Sequence, residues 1–170
     1  MIYVVEGPDR AGKTSFIEVL RKNITNPNTL VIHSSKPPKV DKLEEWTIAY
    51  YKQLIETSID LSRKGYTIIL DRSWISEYVY GPLYRNIDIN IDIPENAYDE
   101  FHIVLLIDSA DNLLSREDGQ SHVINLEGKN NEINAFTNIV KQSNIYYTIC
   151  DWSKIEFNSI VLNDIATSIL

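Results

Sequence analysis

The chain has 170 residues, of which 44% are hydrophobic and 24% are charged. This length is typical of one domain and is sufficient to bury a sizeable core, so we expect a single domain over residues 1–170. The net charge of −8 argues against nonspecific nucleic-acid binding, which depends on a basic surface. A lone cysteine, Cys150, excludes an internal disulfide and a cysteine-based metal site.

No apolar run approaches the ~20 residues that a membrane-spanning helix needs, so we expect no membrane segment. The N-terminus leads directly into an apolar strand pattern and leaves no room for a signal peptide. The sequence therefore predicts a cytoplasmic protein.

The N-terminal strand pattern, 2–5, is followed by a glycine-rich turn and by an amphipathic helix pattern at 15–22. Gly7, Gly12, Lys13 and Thr14 match G-x-x-x-x-G-K-[ST], a match expected by chance in roughly one chain in a hundred of this size. In this motif backbone N–H groups surround phosphates, the lysine reaches the β- and γ-phosphates, and the hydroxyl binds Mg²⁺. The predicted phosphate-binding residues are Gly7, Asp9, Arg10, Ala11, Gly12, Lys13, Thr14 and Ser15.

Strand and helix patterns alternate through the rest of the chain. Strands are predicted at 30–33, 67–71, 101–108 and 146–150, and helices at 41–64, 73–80, 132–143 and 157–169, with a loop at 85–99. Asp41 is the expected N-cap of the long helix and Gly65 its stop. The alternation predicts a three-layer α/β fold with a mostly parallel five-stranded sheet, which binds ligands at the carboxyl ends of its strands.

An acidic residue, Asp71, ends a continuous apolar strand and precedes Arg72. An acid in this position can hold the Mg²⁺ shell or orient a phosphoryl acceptor, and a guanidinium can bind phosphate with two hydrogen bonds. Capping of the next helix is the simpler alternative for Asp71. Asp108 also ends an apolar strand, and it ranks second as the acid that holds the metal.

The segment Glu6-Gly-Pro-Asp-Arg-Ala-Gly-Lys-Thr14 closely resembles the thymidylate kinase family, especially members with an acid and an arginine inside the P-loop. Asp71-Arg72-Ser73 resembles that family's Asp-Arg-aromatic motif and also the (Glu/Asp)-Arg-Ser motif of deoxynucleoside kinases. The resemblance covers roughly the first 85 residues. It implies a P-loop NTPase fold, ATP and Mg²⁺ as cofactors, a small nucleotide as substrate, and a homodimer.

The same resemblance implies roles for individual residues. Arg10 would contact the γ-phosphate, and Asp9 would meet the 3′-hydroxyl of the acceptor sugar. Arg72 would hold the acceptor phosphate while Asp71, with Thr14, organises the metal. Arg116 would be the basic residue of a lid-like region at about 109–131.

The chain departs from the family after its second strand, where Arg-Glu-Pro is replaced by His33-Ser-Ser-Lys36-Pro37. Lys36 is the expected substitute in contacting the acceptor. Deoxynucleoside kinases keep a glutamate in this region as the base for the 5′-hydroxyl, and none occurs between Leu30 and Lys39. We therefore expect a deoxynucleoside monophosphate, most simply dTMP, as acceptor.

Three alternatives stay open at the level of sequence: a deoxynucleoside kinase, a kinase of a nucleic-acid hydroxyl, and a nucleotide-binding regulator without catalysis. The acidic charge disfavours the nucleic-acid substrate. A GTPase is unsupported, because no Asn-Lys-x-Asp follows a late strand.

Aromatic residues on the long predicted helix and after the Asp71-Arg72 pair offer surfaces on which the acceptor base can stack, worth about 1–3 kcal/mol per base. Tyr78 and Arg85 are the two residues singled out near the acceptor. The histidines have no ligand spacing and are interpreted as structural or solvated. The full aromatic set is Trp46, Tyr50, Tyr51, Trp74, Tyr78, Tyr80 and Tyr84.

Overall fold

The computed structural model describes residues 1–34, 36–119 and 121–170, and its centre is a five-stranded sheet in the order β2-β3-β1-β4-β5. All four strand pairings are parallel. Alternating strands and helices with apolar, two-sided strand patterns produce this arrangement, and the predicted α/β fold class is confirmed. The strands are β1 Ile2–Glu6, β2 Thr29–His33, β3 Thr67–Asp71, β4 Phe101–Ile107 and β5 Tyr146–Asp151.

Helices cover both faces of the sheet. One face packs against α2, α3 and α5, and the other packs against α1 and α6, so that the sheet lies between two apolar clusters. A π-helical turn, Gly81–Arg85, and a 3₁₀ helix, Glu95–Glu100, complete the elements. The helices are α1 Lys13–Asn23, α2 Leu43–Arg63, α3 Trp74–Tyr80, α4 Ala110–Ser115, α5 Leu126–Gln142 and α6 Ser159–Ser168.

The structure differs from the predicted helices in two boundaries and in one additional helix. Helix α5 begins at Leu126 rather than at residue 132, because the side chain of Asn125 caps it by accepting the amide of Gly128 at 2.8 Å. The lid-like region contains a helix that was not predicted, α4. Asp41 is not the N-cap of α2, which follows Lys42 without a side-chain cap, whereas Gly65 lies just beyond its end with φ 88° as expected.

Strand β1 lies in the middle of the sheet, between β3 and β4. The chain that leaves β1 therefore emerges between the ends of β3 and β4, where the two acids Asp71 and Asp108 lie. Ser35, in the segment after the second strand, and Gln120, in the lid-like region, lie outside the described residues. Within the described part of the chain, no helix combines the length and the apolar character that crossing a bilayer requires.

Candidate active site

Two glycines give the loop after β1 its shape. Gly7 has φ 142°, and a Cβ there would lie 2.0 Å from the carbonyl oxygen of Leu106. Gly12 has φ 87°, and a Cβ there would lie 2.6 Å from the ring of Phe157. Only glycine fits both positions, so the loop turns sharply and α1 begins at Lys13 with no side-chain cap on its first amides. These uncapped amides form the type of helix terminus that binds phosphate.

The ammonium of Lys13 is buried inside this loop. Its Nζ donates hydrogen bonds to the carbonyl oxygens of Gly7, at 2.9 Å, and Pro8, at 2.7 Å. Burial, and then the nearby guanidinium of Arg72, lowers the pKa of Lys13 to about 7. A phosphate chain that displaces the two carbonyls would restore the charged form of this lysine.

A cleft of about 580 Å³ opens beside the P-loop. Most of the predicted phosphate-binding residues border it, together with residues from the ends of β2 and β3, the lid-like region and the loop after β5. This cleft is large enough for a nucleotide. Its lining residues are Asp9, Arg10, Gly12, Lys13, Thr14, Ser15, His33, Lys36, Asp71, Arg72, Arg116, Ser121 and Phe157.

Arg72 lies at the centre of the site, with a left-handed backbone at φ 69°. Its guanidinium forms an ion pair with Asp9 and donates to Ser76 Oγ at 3.1 Å and to the Tyr80 hydroxyl at 3.4 Å. The same guanidinium lies over the Tyr80 ring, 5.4 Å from its centroid. Arg72 and Asp9, which the resemblance assigns to the acceptor, are thus in direct contact.

The two acids at the strand ends have different surroundings. Asp108 is only 4% exposed; it accepts the amide of Asn112's side chain at 2.8 Å and pairs with Arg116. Asp71 is 16% exposed, borders the cleft and contacts His33 Nδ1 at 2.9 Å. Asp71 therefore faces the cleft, while Asp108 holds the lid arginine.

Thr14 and Asp71 both border the cleft, as expected for a magnesium site. Mg²⁺ in kinases is bound by one or two carboxylates plus phosphate oxygens and water, so one hydroxyl and one carboxylate fit this ion. No group of three or more His, Cys, Asp or Glu side chains suited to a metal occurs in the described ranges. The remaining ligands would come from the nucleotide and from water.

A smaller cavity of about 240 Å³ adjoins the cleft and shares four of its residues. Three of the predicted acceptor residues besides Asp9 border it: Lys36, Arg72 and Arg85. Its other walls come from α2, α3 and the lid-like region. The lining residues are Asp9, His33, Ser34, Lys36, Tyr51, Arg72, Ser76, Glu77, Tyr80, Arg85 and His122.

Tyr78, predicted to lie near the acceptor, is placed elsewhere. Its hydroxyl donates to the carbonyl oxygen of Ile91 and accepts the amide of the same residue, both at 3.0 Å. Because α3 turns every 3.6 residues, Tyr80 and Glu77 point toward the cavity, and Tyr78 fastens the following segment instead. Tyr78 is not among the described residues that line either cavity.

Glu6 is a site residue that sequence reasoning left without a role. Its buried carboxylate accepts four hydrogen bonds, from the amide and hydroxyl of Ser73 at 2.6 and 2.7 Å and from those of Ser76 at 3.3 and 2.7 Å. Burial raises its pKa. The acid directly before the P-loop therefore fixes the start of α3, from which Ser76 supports Arg72. The sequence signal was an acid at the end of an otherwise apolar strand.

Four of the cations predicted at the site have partners within the protein. Two of them, Lys13 and Arg72, are described above; Arg10 pairs with Asp118, and Arg116 pairs with Asp108. The three arginines are held beside the cleft by carboxylates that balance their charge, and Lys13 is held there by neutral carbonyl oxygens. Anionic oxygens of a nucleotide can replace these partners.

No known family model matches the sequence. A curated protein from Acidianus bottle-shaped virus (isolate Italy/Pozzuoli), named "Putative thymidylate kinase", is 34% identical over 101 residues. This match covers 59% of the chain and 55% of the relative, so the chain spans about half the length of the curated relative it matches.

Solved structures resemble the whole chain, each covering 99% of it. The YorR protein of Bacillus subtilis, in complex with phosphorylated GDP, has a TM-score of 0.68 at 16% identity over 95% of its own chain. Thymidylate kinase from Ehrlichia chaffeensis has a TM-score of 0.63 at 14% identity, and the match covers 96% of its chain. Deoxyadenosine kinase from M. mycoides with bound dATP has a TM-score of 0.57 at 17% identity, and the match covers 98% of its chain. The predicted resemblance is confirmed: this chain has the fold of P-loop nucleotide kinases and partial sequence similarity to a viral protein of the thymidylate kinase type.

Proposed function

We propose that this protein is an ATP- and Mg²⁺-dependent deoxynucleoside monophosphate kinase whose acceptor is dTMP. The observation that carries the proposal is the junction of the two cavities, where Asp9, His33, Lys36 and Arg72 border both. A phosphate donor beside the P-loop and an acceptor beside Arg72 would meet at this junction. The viral relative named as a thymidylate kinase supports the choice of acceptor.

The larger cleft suits the donor. The uncapped amides at the start of α1 and the ammonium of Lys13 would bind the β- and γ-phosphates of ATP. Arg10 and Arg116 border the same cleft and would neutralise the oxygens of the γ-phosphate. Thr14 and Asp71 would hold Mg²⁺, which supplies positive charge between the phosphates when it is bound.

The smaller cavity suits the acceptor. Arg72 would exchange Asp9 for the acceptor phosphate, and the released carboxylate would accept the 3′-hydroxyl of the sugar. Lys36, at the junction, adds positive charge beside the phosphate. The rings of Tyr51 and Tyr80 border the space left for the base.

The reaction needs little covalent chemistry from the protein. An oxygen of the acceptor phosphate attacks the γ-phosphorus, the bond between that phosphorus and the β–γ bridging oxygen breaks, and ADP leaves with the electron pair. A phosphate acceptor is already anionic, so no general base is needed. Positioning and charge neutralisation therefore account for the rate, in keeping with a site built mainly from arginines, a lysine and backbone amides.

One observation favours a second candidate, a deoxynucleoside kinase. The Asp71 carboxylate contacts His33 Nδ1 at 2.9 Å inside the donor cleft, and such a pair can take a proton from a 5′-hydroxyl. In that case Arg72 would have no acceptor phosphate to bind and would stay paired with Asp9.

A coupled assay of ADP release with ATP and Mg²⁺ separates the candidates, with the four deoxynucleoside monophosphates, dUMP and thymidine as acceptors. Turnover with dTMP and none with thymidine is the expected result. Turnover with thymidine alone would replace the proposal by the second candidate. ATP binding without turnover on any acceptor would indicate a nucleotide-binding regulator or a polymeric substrate.

A further inference from the structure

A buried charged cluster lies outside the two cavities, where α5 meets the lid-like region. Lys129 of α5 is completely buried, and its Nζ lies 3.4 Å from Glu117 Oε2 and 3.6 Å from Glu132 Oε2. Glu132 is also completely buried. The proposed reaction uses none of these three residues directly.

Glu117 connects the cluster to the donor cleft. Its Oε1 accepts the backbone amides of Gly119 and Ser121, at 3.1 and 3.3 Å, and so fixes the course of the chain around it. The residue before it, Arg116, borders the donor cleft, and the residue after it, Asp118, pairs with Arg10 of the P-loop. The position of Glu117 therefore sets where both lid charges lie.

Glu132 connects the same cluster to the acceptor cavity. Its Oε1 accepts the hydroxyl of Tyr84 at 2.8 Å, and the Tyr84 ring stacks on His122 with centroids 4.8 Å apart. The Tyr80 ring lies 5.9 Å from that of Tyr84. His122 and Tyr80 both border the acceptor cavity, so the position of Glu132 sets one of its walls.

Stability alone does not account for this cluster. Two carboxylates around one ammonium leave uncompensated charge in a buried place, and apolar side chains of similar volume often stabilise such a site at least as well. Five buried side-chain polar atoms in the described ranges lack a hydrogen-bond partner, and four of them belong to Glu117, Ser121, Lys129 and Glu132. The ion pairs of this cluster are therefore weak evidence for a role in stability, whereas their contacts lead directly to the two cavities.

We propose that Lys129 is a positioning residue that joins the lid over the donor cleft to the wall of the acceptor cavity. One arm runs through Glu117 to Arg116, and the other runs through Glu132 to Tyr84. The assignment of the two cavities to donor and acceptor rests on the proposed function. The contacts that join the two cavities to Lys129 are observed independently of that function.

The two arms make the proposal testable by Michaelis constants. Glu117→Gln weakens the donor arm and should raise KM for ATP about tenfold, with KM for dTMP within about twofold of the wild-type value. Tyr84→Phe removes the hydrogen bond of the acceptor arm and should raise KM for dTMP about tenfold, with KM for ATP within about twofold of the wild-type value. Lys129→Met should raise both constants and lower kcat, while Lys141→Met, an exposed lysine of the same helix, should change neither.

A merely structural cluster would give a different pattern. The variants would then lose thermal stability and active fraction, with both Michaelis constants unchanged, and this result would overturn the proposal. If Lys129→Met does not fold, the opposite responses of Glu117→Gln and Tyr84→Phe still decide it.

Failure of the proposed function is distinguishable from failure of this inference. A wild-type protein that turns over no acceptor would contradict the kinase assignment alone. Calorimetric titration with ATP then tests the donor arm, because Glu117→Gln should still raise the dissociation constant about tenfold and Lys141→Met should not. Equal ATP affinities for Glu117→Gln and wild type would count against the positioning role.

Discussion

The two cavities are built in different ways. The cleft proposed for the phosphate donor is formed largely by one continuous loop between Gly7 and Ser15, shaped by glycines and by the start of α1. The cavity proposed for the acceptor draws its walls from the P-loop, the ends of β2 and β3, helices α2 and α3, the π-helical turn and the lid-like region. A phosphate site made from backbone follows from local sequence, whereas a pocket made from seven segments depends on how the whole molecule packs.

The central cations of the two cavities show the same contrast. Lys13 is held by two main-chain carbonyl oxygens and by no side chain among these contacts. Arg72 is held by side chains: Asp9, Ser76 and Tyr80. We therefore expect the donor site to tolerate changes in its surroundings and the acceptor site to change specificity easily.

The largest expected effect tests the donor side. Lys13→Ala removes the ammonium expected at the β- and γ-phosphates and should lower kcat/KM by about 10³-fold or more. The backbone of the P-loop stays intact, so far-UV circular dichroism should be unchanged. Retained turnover in the coupled assay would contradict the proposed reaction.

Arg72 provides the corresponding test of the acceptor side. Arg72→Gln loses charge-assisted bonds to the acceptor phosphate and should raise KM for dTMP by about 10–100-fold, with KM for ATP much less affected. Arg63→Gln is the matched control, because Arg63 is an exposed arginine that pairs with Glu100 away from both cavities. Equal effects on both substrates would show that Arg72 does not distinguish donor from acceptor.

Glu6 lies where the two sides meet, and its loss should appear first in stability. Glu6→Ala leaves the amides and hydroxyls of Ser73 and Ser76 without their buried acceptor and should lower the free energy of unfolding by about 3 kcal/mol. Glu18→Ala, on the exposed face of α1, should stay within about 0.5 kcal/mol of wild type. Urea unfolding of both variants measures the difference.

The contrast between local and distant structure also explains what the sequence reveals. The five strands and the P-loop were predictable because a two-sided apolar pattern and a glycine motif act within a few residues. Helix α4 was not predictable, because its six residues are too few to show a helical period. The start of α5 was hidden in a polar run whose only mark was the capping Asn125.

Within the site, the same limit separates the residues that were found from those that were missed. Asp71 and Arg72 follow an apolar strand directly, so their location was readable. The pairing of Arg72 with Asp9 joins residues 63 positions apart, and the contact between His33 and Asp71 joins residues 38 apart. His33 was interpreted as structural or solvated because its partner appears only when β2 and β3 pair.

The low pKa of Lys13 gives a pH test of the donor side. The ammonium has a pKa of about 7 in the free protein, and bound phosphates should raise it. Above pH 7 Lys13 must take up a proton when ATP binds, so the affinity for ATP should fall as the pH rises. Below pH 7 Lys13 is already protonated and no proton uptake is needed. Calorimetry at pH 6 and pH 8, in buffers of different ionisation enthalpy, measures how many protons the protein takes up when ATP binds. Lys13→Ala should abolish this proton uptake.

The smallest expected effect separates two neighbouring tyrosines of α3. Tyr78→Phe loses only its hydrogen bonds to Ile91 and should lower the free energy of unfolding by about 1 kcal/mol without changing KM for dTMP. Tyr80→Phe loses the contact to Arg72 and should raise KM for dTMP several-fold with similar stability. Because the two residues lie two positions apart on one short helix, any effect of Tyr78→Phe on KM would place the acceptor on the other face of α3. A raised KM in Tyr80→Phe alone would show that the orientation of α3 selects which ring faces the acceptor. The aromatic pattern of the sequence does not reveal this orientation.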